Sequence, residues 1–173
     1  MKKTLLAAAL VVAASAGSAF AGGSPGSIGV GAEYLLSGGL LPSQGGAIAG
    51  GPSLNYDAGQ FHVGGFLAIA DGGGSNDTDI GIGGRFFYHV ASSAMADFSV
   101  GGSLGYLSFD THVPMGGSRT NFVFIEPGAQ IRAFIVPNVA LSATIGLTIG
   151  AGDAQGLALT GQTVTGGIHY YFF

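Results

Sequence analysis

Ser108, Asp110 and His112 stand at alternating positions of the stretch SFDTH. A hydroxyl, a carboxylate and an imidazole are the parts of a nucleophilic acyl-transfer site. Alternation puts three side chains on one face of an extended strand, but does not by itself chain nucleophile to base to orienting acid. The expectation is a polar strand end with no catalytic residue. A second candidate is DGGGSNDTD, where Asp71, Asn76, Asp77 and Asp79 offer hard oxygen ligands of the kind Ca²⁺ takes. It departs from the Gly-Gly-x-Gly-x-Asp repeat at Ser75 and occurs once, so it reads as a solvated loop and no metal is expected. His62 and His89 could meet on one strand face, but two imidazoles without a third ligand are ordinarily hydrogen-bonded partners. The glycine-rich GVGAEY and GIGGRF have no helix after them, so neither nucleotide nor other cofactor is expected.

Four further charges share a pattern: Glu33, Arg85, Glu126 and Arg132 each fall on the small-residue side of an alternating stretch. If that side faces inward, unpaired charges there would be costly, and Arg85 and Arg132 are expected to pair with Glu126 and Glu33. Such a lumen charge network is either a structural plug or the constriction of a narrow conduit. Inward glycines (Gly29, Gly31, Gly81, Gly83, Gly101, Gly105) would leave voids for water and keep the conduit open as an alternative.

What must position these residues follows from the composition. The N-terminus carries Lys2 and Lys3, an apolar run from Leu5 to Ala14, and Ala19-Phe20-Ala21, the small-x-small pattern of a signal peptidase site. Residues 1–21 therefore read as a cleaved signal peptide and 22–173 as one domain. Losing both lysines takes the formal charge from −4 to about −6 and leaves Arg85, Arg119 and Arg132 against nine acidic residues. Nucleic acid is thereby an unsuitable partner. There is no cysteine, so neither disulfides nor thiolate metal sites are available.

Charged residues make up only 8% of the chain, against about 25% in ordinary soluble proteins, and the mean hydropathy is +0.51. Beyond the signal no apolar run approaches the roughly 18 residues of a membrane helix. Inside lipid only helices and closed barrels satisfy every backbone group, so a transmembrane β-barrel is the leading expectation.

Alternation supports it segment by segment. SIGVGAEYLL sets Ile28, Val30, Ala32 and Tyr34 against Gly29, Gly31 and Glu33. NVALSATIGLTIG is the cleanest, with Val139, Leu141, Ala143, Ile145, Leu147 and Ile149 against Ser142, Thr144 and Thr148. AIAGGPSLNYD, FHVGGFLAIA, DIGIGGRFFYHV, DFSVGGSLGYLSF, FVFIEPGAQIRAFI and LTGQTVTGGIHYYFF complete eight candidates, each near the ten residues that a tilted membrane strand needs. One face is aliphatic and aromatic; the other is too rich in Gly and Ser to be the charged surface of a soluble sandwich. A secreted glycine-rich β-protein is the non-membrane alternative.

Connections alternate long and short, beginning with SGGLLPSQGG and including the tight VPN, as in outer-membrane barrels with short periplasmic turns and longer external loops. An even strand count leaves both termini in the periplasm. Tyr56, Phe61, Phe86, Tyr88, Phe98 and the C-terminal aromatics fall beside the short turns as one interfacial girdle, with Tyr34 and Tyr106 toward the other.

FVFIEPGAQIRAFIVPNVALSATIGLTIG and the terminal GGIHYYFF resemble the small eight-stranded outer-membrane β-barrel family, the OmpA-like, OmpX-like and OmpW-like barrels. The resemblance covers the domain as architecture and identifies no activity. It implies an all-β, eight-stranded, antiparallel up-and-down transmembrane barrel in the cell outer membrane of a Gram-negative bacterium. The implied surroundings are outer-membrane lipids and lipopolysaccharide, with the barrel assembly machinery as a partner during biogenesis and a monomer as the assembled state. Tyr171 and Phe173 resemble the terminal signal that this machinery reads, although His169 departs from the usual hydrophobic residue. The resemblance puts Phe173 and Tyr171 on the outer face; the hydrophobic pattern favours Ile168, Tyr170 and Phe172. The expectation adopted is Phe173 outward.

The role expected first is non-enzymatic: a cell-envelope protein presenting acidic, glycine-rich loops for adhesion, binding or envelope integrity. A narrow, porin-like channel for small or hydrophobic solutes, as in OmpW-like barrels, is the alternative. A lipid-modifying outer-membrane enzyme comes third, since no His-x-Ser pair of the lipid A deacylase kind is present.

Overall fold

Residues with small side chains at every second position can lie flat against one another on the inside of a tight curve, while the larger alternating partners cover the outside. Eight strands realise that arrangement: β1 (Ser27–Gly38), β2 (Gly50–Asp57), β3 (Phe61–Asp71), β4 (Thr78–Ser92), β5 (Ala96–Thr111), β6 (Ser118–Val136), β7 (Val139–Gly152) and β8 (Gly156–Phe172). The structure, a computed structural model, describes residues 25–38, 50–71, 78–111, 118–152 and 156–172. The expected signal segment 1–21, the longer connections with Asn76, Asp77 and His112, and Phe173 lie outside the described residues.

Each strand pairs antiparallel with its neighbour in sequence, and the sheet is closed by β1 against β8, from Ile28↔Phe172 to Gly38↔Thr163. Closure matters because a sheet edge would leave a row of N–H and C=O groups without partners. At one end the strands are joined by tight turns at 58–60, 93–95 and 137–138. Gly59 takes φ +89°, a conformation open to glycine, and its N–H donates to Asp57 Oδ1 at 2.8 Å. At 93–95 the Ser93 hydroxyl donates to Ala96 O at 3.0 Å and accepts from Ala96 N at 3.0 Å. Four ladders carry a shift in register, and the β6–β7 ladder has a further gap in its middle. The β6–β7 pairing passes from Ile125↔Ile149 to Gly128↔Gly146 without Pro127, whose ring nitrogen has no hydrogen to donate.

The apolar parity faces outward, as the alternation predicts. Val30, Leu54, Ile82, Leu104, Ile125, Ile131, Ile145 and Leu147 are all exposed on the outer wall. An apolar wrapping that is continuous round the barrel would be untenable in water and is the surface that lipid requires. Beside the short turns the exposed Tyr56, Phe86, Tyr88, Phe98, Tyr170 and Phe172 form the expected girdle, with Phe61 stacked on Phe86 at 5.4 Å between centroids.

The last strand corrects one expectation. Ile168, Tyr170 and Phe172 face outward, while His169 and Tyr171 are 2% and 1% exposed inside the lumen. Pairing with β1 sets this register: Gly29 and Gly31, both on the inward parity, stand opposite Tyr171 and His169. The hydrophobic pattern, not the terminal-signal resemblance, reads the parity of this strand correctly.

The inward glycines correct another. At Gly29, Gly31, Gly81, Gly83 and Gly105 the space of a side chain is taken by a neighbour's side chain, and at Gly101 by the backbone of β4. A Cβ at Gly105 would lie 2.6 Å from the Phe124 ring, and one at Gly29 2.7 Å from the Tyr171 ring. Phe66 lies against Gly83 in the same way, and Phe122 against Gly150. A ring and a glycine on neighbouring strands together fill the volume that two medium side chains would fill elsewhere.

This seating distinguishes inward from outward glycines. Gly105→Val should destabilise the barrel by about 1–3 kcal/mol through overpacking against Phe124. Gly84→Ala, on the outer face with 3.6 Å to its nearest neighbour, should leave stability unchanged or raise it by about 0.4–1 kcal/mol. The temperature at which the compact gel band converts to the unfolded one measures both. Equal losses at the two positions would refute the seating.

Candidate functional site: the charged lumen

The lumen is divided along its length. Toward the short turns it is polar, and its centre there is Arg132, 1% exposed on β6. Its Nε donates to Asp97 Oδ2 at 2.9 Å, Nη2 to Asp57 Oδ2 at 2.7 Å and Nη1 to the Tyr171 hydroxyl at 2.9 Å. Nη2 also lies 3.0 Å from His89 Nε2. Arg132 faces the rings of Phe134 and Tyr171 with its guanidinium 5.6 and 5.7 Å from their centroids. A planar cation with five donors can satisfy two carboxylates, a phenol and an imidazole at once; an ammonium could not.

The histidines complete this tier, and their hydrogen positions follow from their neighbours. His89 Nδ1 lies 2.8 Å from Gly59 O, which can only accept, so the hydrogen sits on Nδ1. His89 Nε2 is then an acceptor, consistent with the Arg132 donor beside it. His62 Nδ1, 2.8 Å away, must supply the hydrogen of the third contact. The two imidazoles come together as the sequence suggests, and they are tied to a turn carbonyl and a guanidinium. Among the described residues no group of three or more ligating side chains could hold a metal ion.

A second tier lies farther from the turns. Arg85 Nη1 contacts Glu33 Oε1 at 2.5 Å, and His169 Nε2 approaches the same oxygen at 3.1 Å while also meeting Ser53 Oγ at 2.8 Å. The Arg85 guanidinium lies 5.1 Å from the centroid of Phe66. Glu126 stands apart from both arginines. It accepts from Thr148 Oγ1 at 2.8 Å and Thr163 Oγ1 at 2.5 Å, and its chain lies over Gly146. Toward the loop end Phe109, Phe122 and Phe124 form a buried cluster with Phe66 and Leu107 against them, and Asp79 is buried on the inward parity of β4 at the same end.

All four predicted lumen charges therefore face inward, but the expected pairing is only half right. Arg85 with Glu33 forms; Arg132 with Glu126 or Glu33 does not. Alternation reports the face, whereas height along the barrel depends on register. Asp97 is Arg132's register partner on β5, and Asp57 closes β2 on the wall facing β6. Glu126 is six residues along β6 from Arg132, about 20 Å at strand rise. Glu33 is equally far along β1 from Ser27, the register partner of Asp57. Asp57, Asp97 and His89 were legible as inward residues next to short turns, and that shared position was the available signal.

The outer-face candidate Ser108 has two side-chain partners among the described residues, and His112 lies outside them. Its hydroxyl accepts from Arg119 Nε at 2.7 Å and donates to Asn121 Oδ1 at 3.1 Å. Asp79, weighed as a hard oxygen ligand and read as part of a solvated loop, is instead buried on β4.

No family model and no curated protein matches the sequence. Among solved structures, the N-terminal β-barrel domain of Pseudomonas aeruginosa OprF is similar in fold, with a TM-score of 0.61 over 86% of this chain and 98% of that domain at 12% identity. Closed strand order and this likeness agree: the chain has the fold of a small, eight-stranded, up-and-down outer-membrane barrel.

Proposed function

We propose that this chain is a non-enzymatic integral protein of the outer membrane of a Gram-negative bacterium, exported by residues 1–21. In this reading it is a sealed scaffold that presents its longer connections at the cell surface for binding, adhesion or envelope integrity. The carrying observation is the filled lumen: two tiers of paired charge below a cluster of phenyl rings, inside a wall whose outer face is apolar. A small barrel that spends its interior on mutual pairing has no open path to offer, and its variable surface is the loop end. Surrounding lipid and lipopolysaccharide, and the barrel assembly machinery during biogenesis, are the partners of this reading, with a monomer as the working state.

The second reading, a narrow path for small solutes, draws support from one observation. Arg85 Nε and His169 Nδ1 are buried polar atoms without a hydrogen-bond partner among the described residues, and buried polar atoms of this kind commonly hold water. The phenyl cluster argues against continuity of such water to the loop end.

The two readings separate in planar bilayers. Wild-type protein and Arg85→Ala should both give silent traces, because removing the guanidinium leaves Phe109, Phe122 and Phe124 in place. Unitary conductance steps in the wild type, abolished or enlarged by Arg85→Ala, would favour the channel instead.

The scaffold reading also makes the Arg132 tier a stability element. Arg132→Met leaves Asp57 and Asp97 facing each other without a cation, and should destabilise by about 3–5 kcal/mol. Adding Asp57→Asn and Asp97→Asn should recover much of that loss. Urea unfolding in lipid vesicles, followed by tyrosine fluorescence, reads both. A triple variant no more stable than the single one would contradict the pairing argument.

A further inference from the structure

We infer that the outer wall of β4, β5 and β6 at the loop end carries a binding site for the phosphate of a lipid headgroup, with Arg119 as its cation. The inference rests on the outer-membrane reading and specifies which lipid chemistry this wall recognises.

Three observations carry it. First, Arg119 is the one basic side chain on the outer face among the described residues; Arg85 and Arg132 are both turned into the lumen. Second, it is held in place. Arg119 Nε donates to Ser108 Oγ on β5, and Nη2 donates to Thr78 O on β4 at 2.7 Å, so the guanidinium lies across two neighbouring strands. Asn121 braces the same spot: its Oδ1 accepts from Ser108 Oγ and from the Tyr106 hydroxyl at 2.6 Å. An exposed arginine usually loses several rotatable bonds of freedom on binding an anion; here much of that ordering is already made. Third, its height suits a headgroup. The outward residues of β6 run apolar from Val123 to Ile135, about 30 Å of membrane normal for strands tilted near 40°. Arg119 lies four residues beyond Val123, about 10 Å farther out, within the polar layer that flanks the hydrocarbon.

Below the guanidinium the wall offers Ile80, Ile82, Leu104 and the Tyr106 ring, all exposed. An occupant that joins a phosphate to acyl chains would meet both surfaces at once. Among the described residues two of the five guanidinium donors are fixed on the scaffold, and the others are those that a forked contact to phosphate oxygens would use. Free phosphate would have no use for the apolar wall, so the site is assigned to phosphorylated lipid of the outer leaflet. Asp110 is the register partner of Arg119 across the β5–β6 ladder, and its negative charge works against an anion there.

Native mass spectrometry of the full-length barrel in detergent micelles tests the inference, with bisphosphorylated hexa-acyl lipid A as the probe. Its dephosphorylated form and inorganic phosphate serve as the comparison arms. The wild type should retain the phosphorylated lipid about tenfold better than Arg119→Gln does. It should retain the dephosphorylated lipid no better than the variant, and millimolar inorganic phosphate should not displace the lipid. Asp110→Asn should strengthen retention by leaving the guanidinium without its register-opposite acid.

Equal retention by wild type and Arg119→Gln overturns the site, as does weaker retention by Asp110→Asn. Displacement by inorganic phosphate overturns the lipid assignment. A boiled and an unboiled sample that migrate identically on SDS gels would show that no closed barrel forms, which sinks the membrane reading as well. A normal gel shift with equal retention sinks this inference alone.

Discussion

Everything in this molecule depends on one requirement: no backbone N–H or C=O in the wall can be left for water to satisfy. The requirement is met by closing β1 on β8, and closure then dictates the rest. With eight strands the lumen is narrow, so inward positions must be small or must interlock. With lipid outside, outward positions must be apolar. The low charge and high glycine content of the chain are the compositional trace of these two demands, applied to alternate residues.

Interlocking explains why the interior is graded rather than uniform. Where rings lie over glycines near the loop end, the lumen is filled mainly by packing. Near the short turns the lumen is closed by charge, and there nearly every donor and acceptor of the Arg132 tier is engaged. The two solutions differ in what they tolerate. A ring seat fails through volume, whereas a charge tier fails through an orphaned partner. Glu126, held by two threonine hydroxyls between these regions, belongs to neither extreme and marks where one gives way to the other.

The face of each strand was legible because side-chain direction has a period of two, and hydrophobicity follows it from Ile28 to Phe172. Strand order was legible in part because the short turns at 58–60, 93–95 and 137–138 leave no alternative to pairing of the strands they join. Height was not legible, and the Arg132 partners show why. Asp57 and Asp97 come level with Arg132 only once register is set across the whole sheet, and no local pattern carries that information. The inward aromatics were also underread. Phe66, Phe87, Phe122 and Phe124 sit on the glycine parity, where a count of small residues suggests space; a ring and its glycine seat belong to different strands. In the last strand a signal at the chain end competed with the alternation, and the alternation carried the physics.

Arg132 joins parts of the chain that are far apart in sequence. Its hydrogen bonds reach partners 35, 39, 43 and 75 residues away, on β5, β8, β4 and β2. A hairpin of β6 with β7 offers it none of these groups, and β5 adds only Asp97, so a partly assembled sheet leaves the guanidinium with most of its donors unmet. The cation therefore favours staying wet until the cylinder is nearly complete, and it rewards the final docking of distant segments all at once. Such an arrangement makes assembly cooperative from within: the interior charge acts as a latch that engages fully only when the circumference is whole.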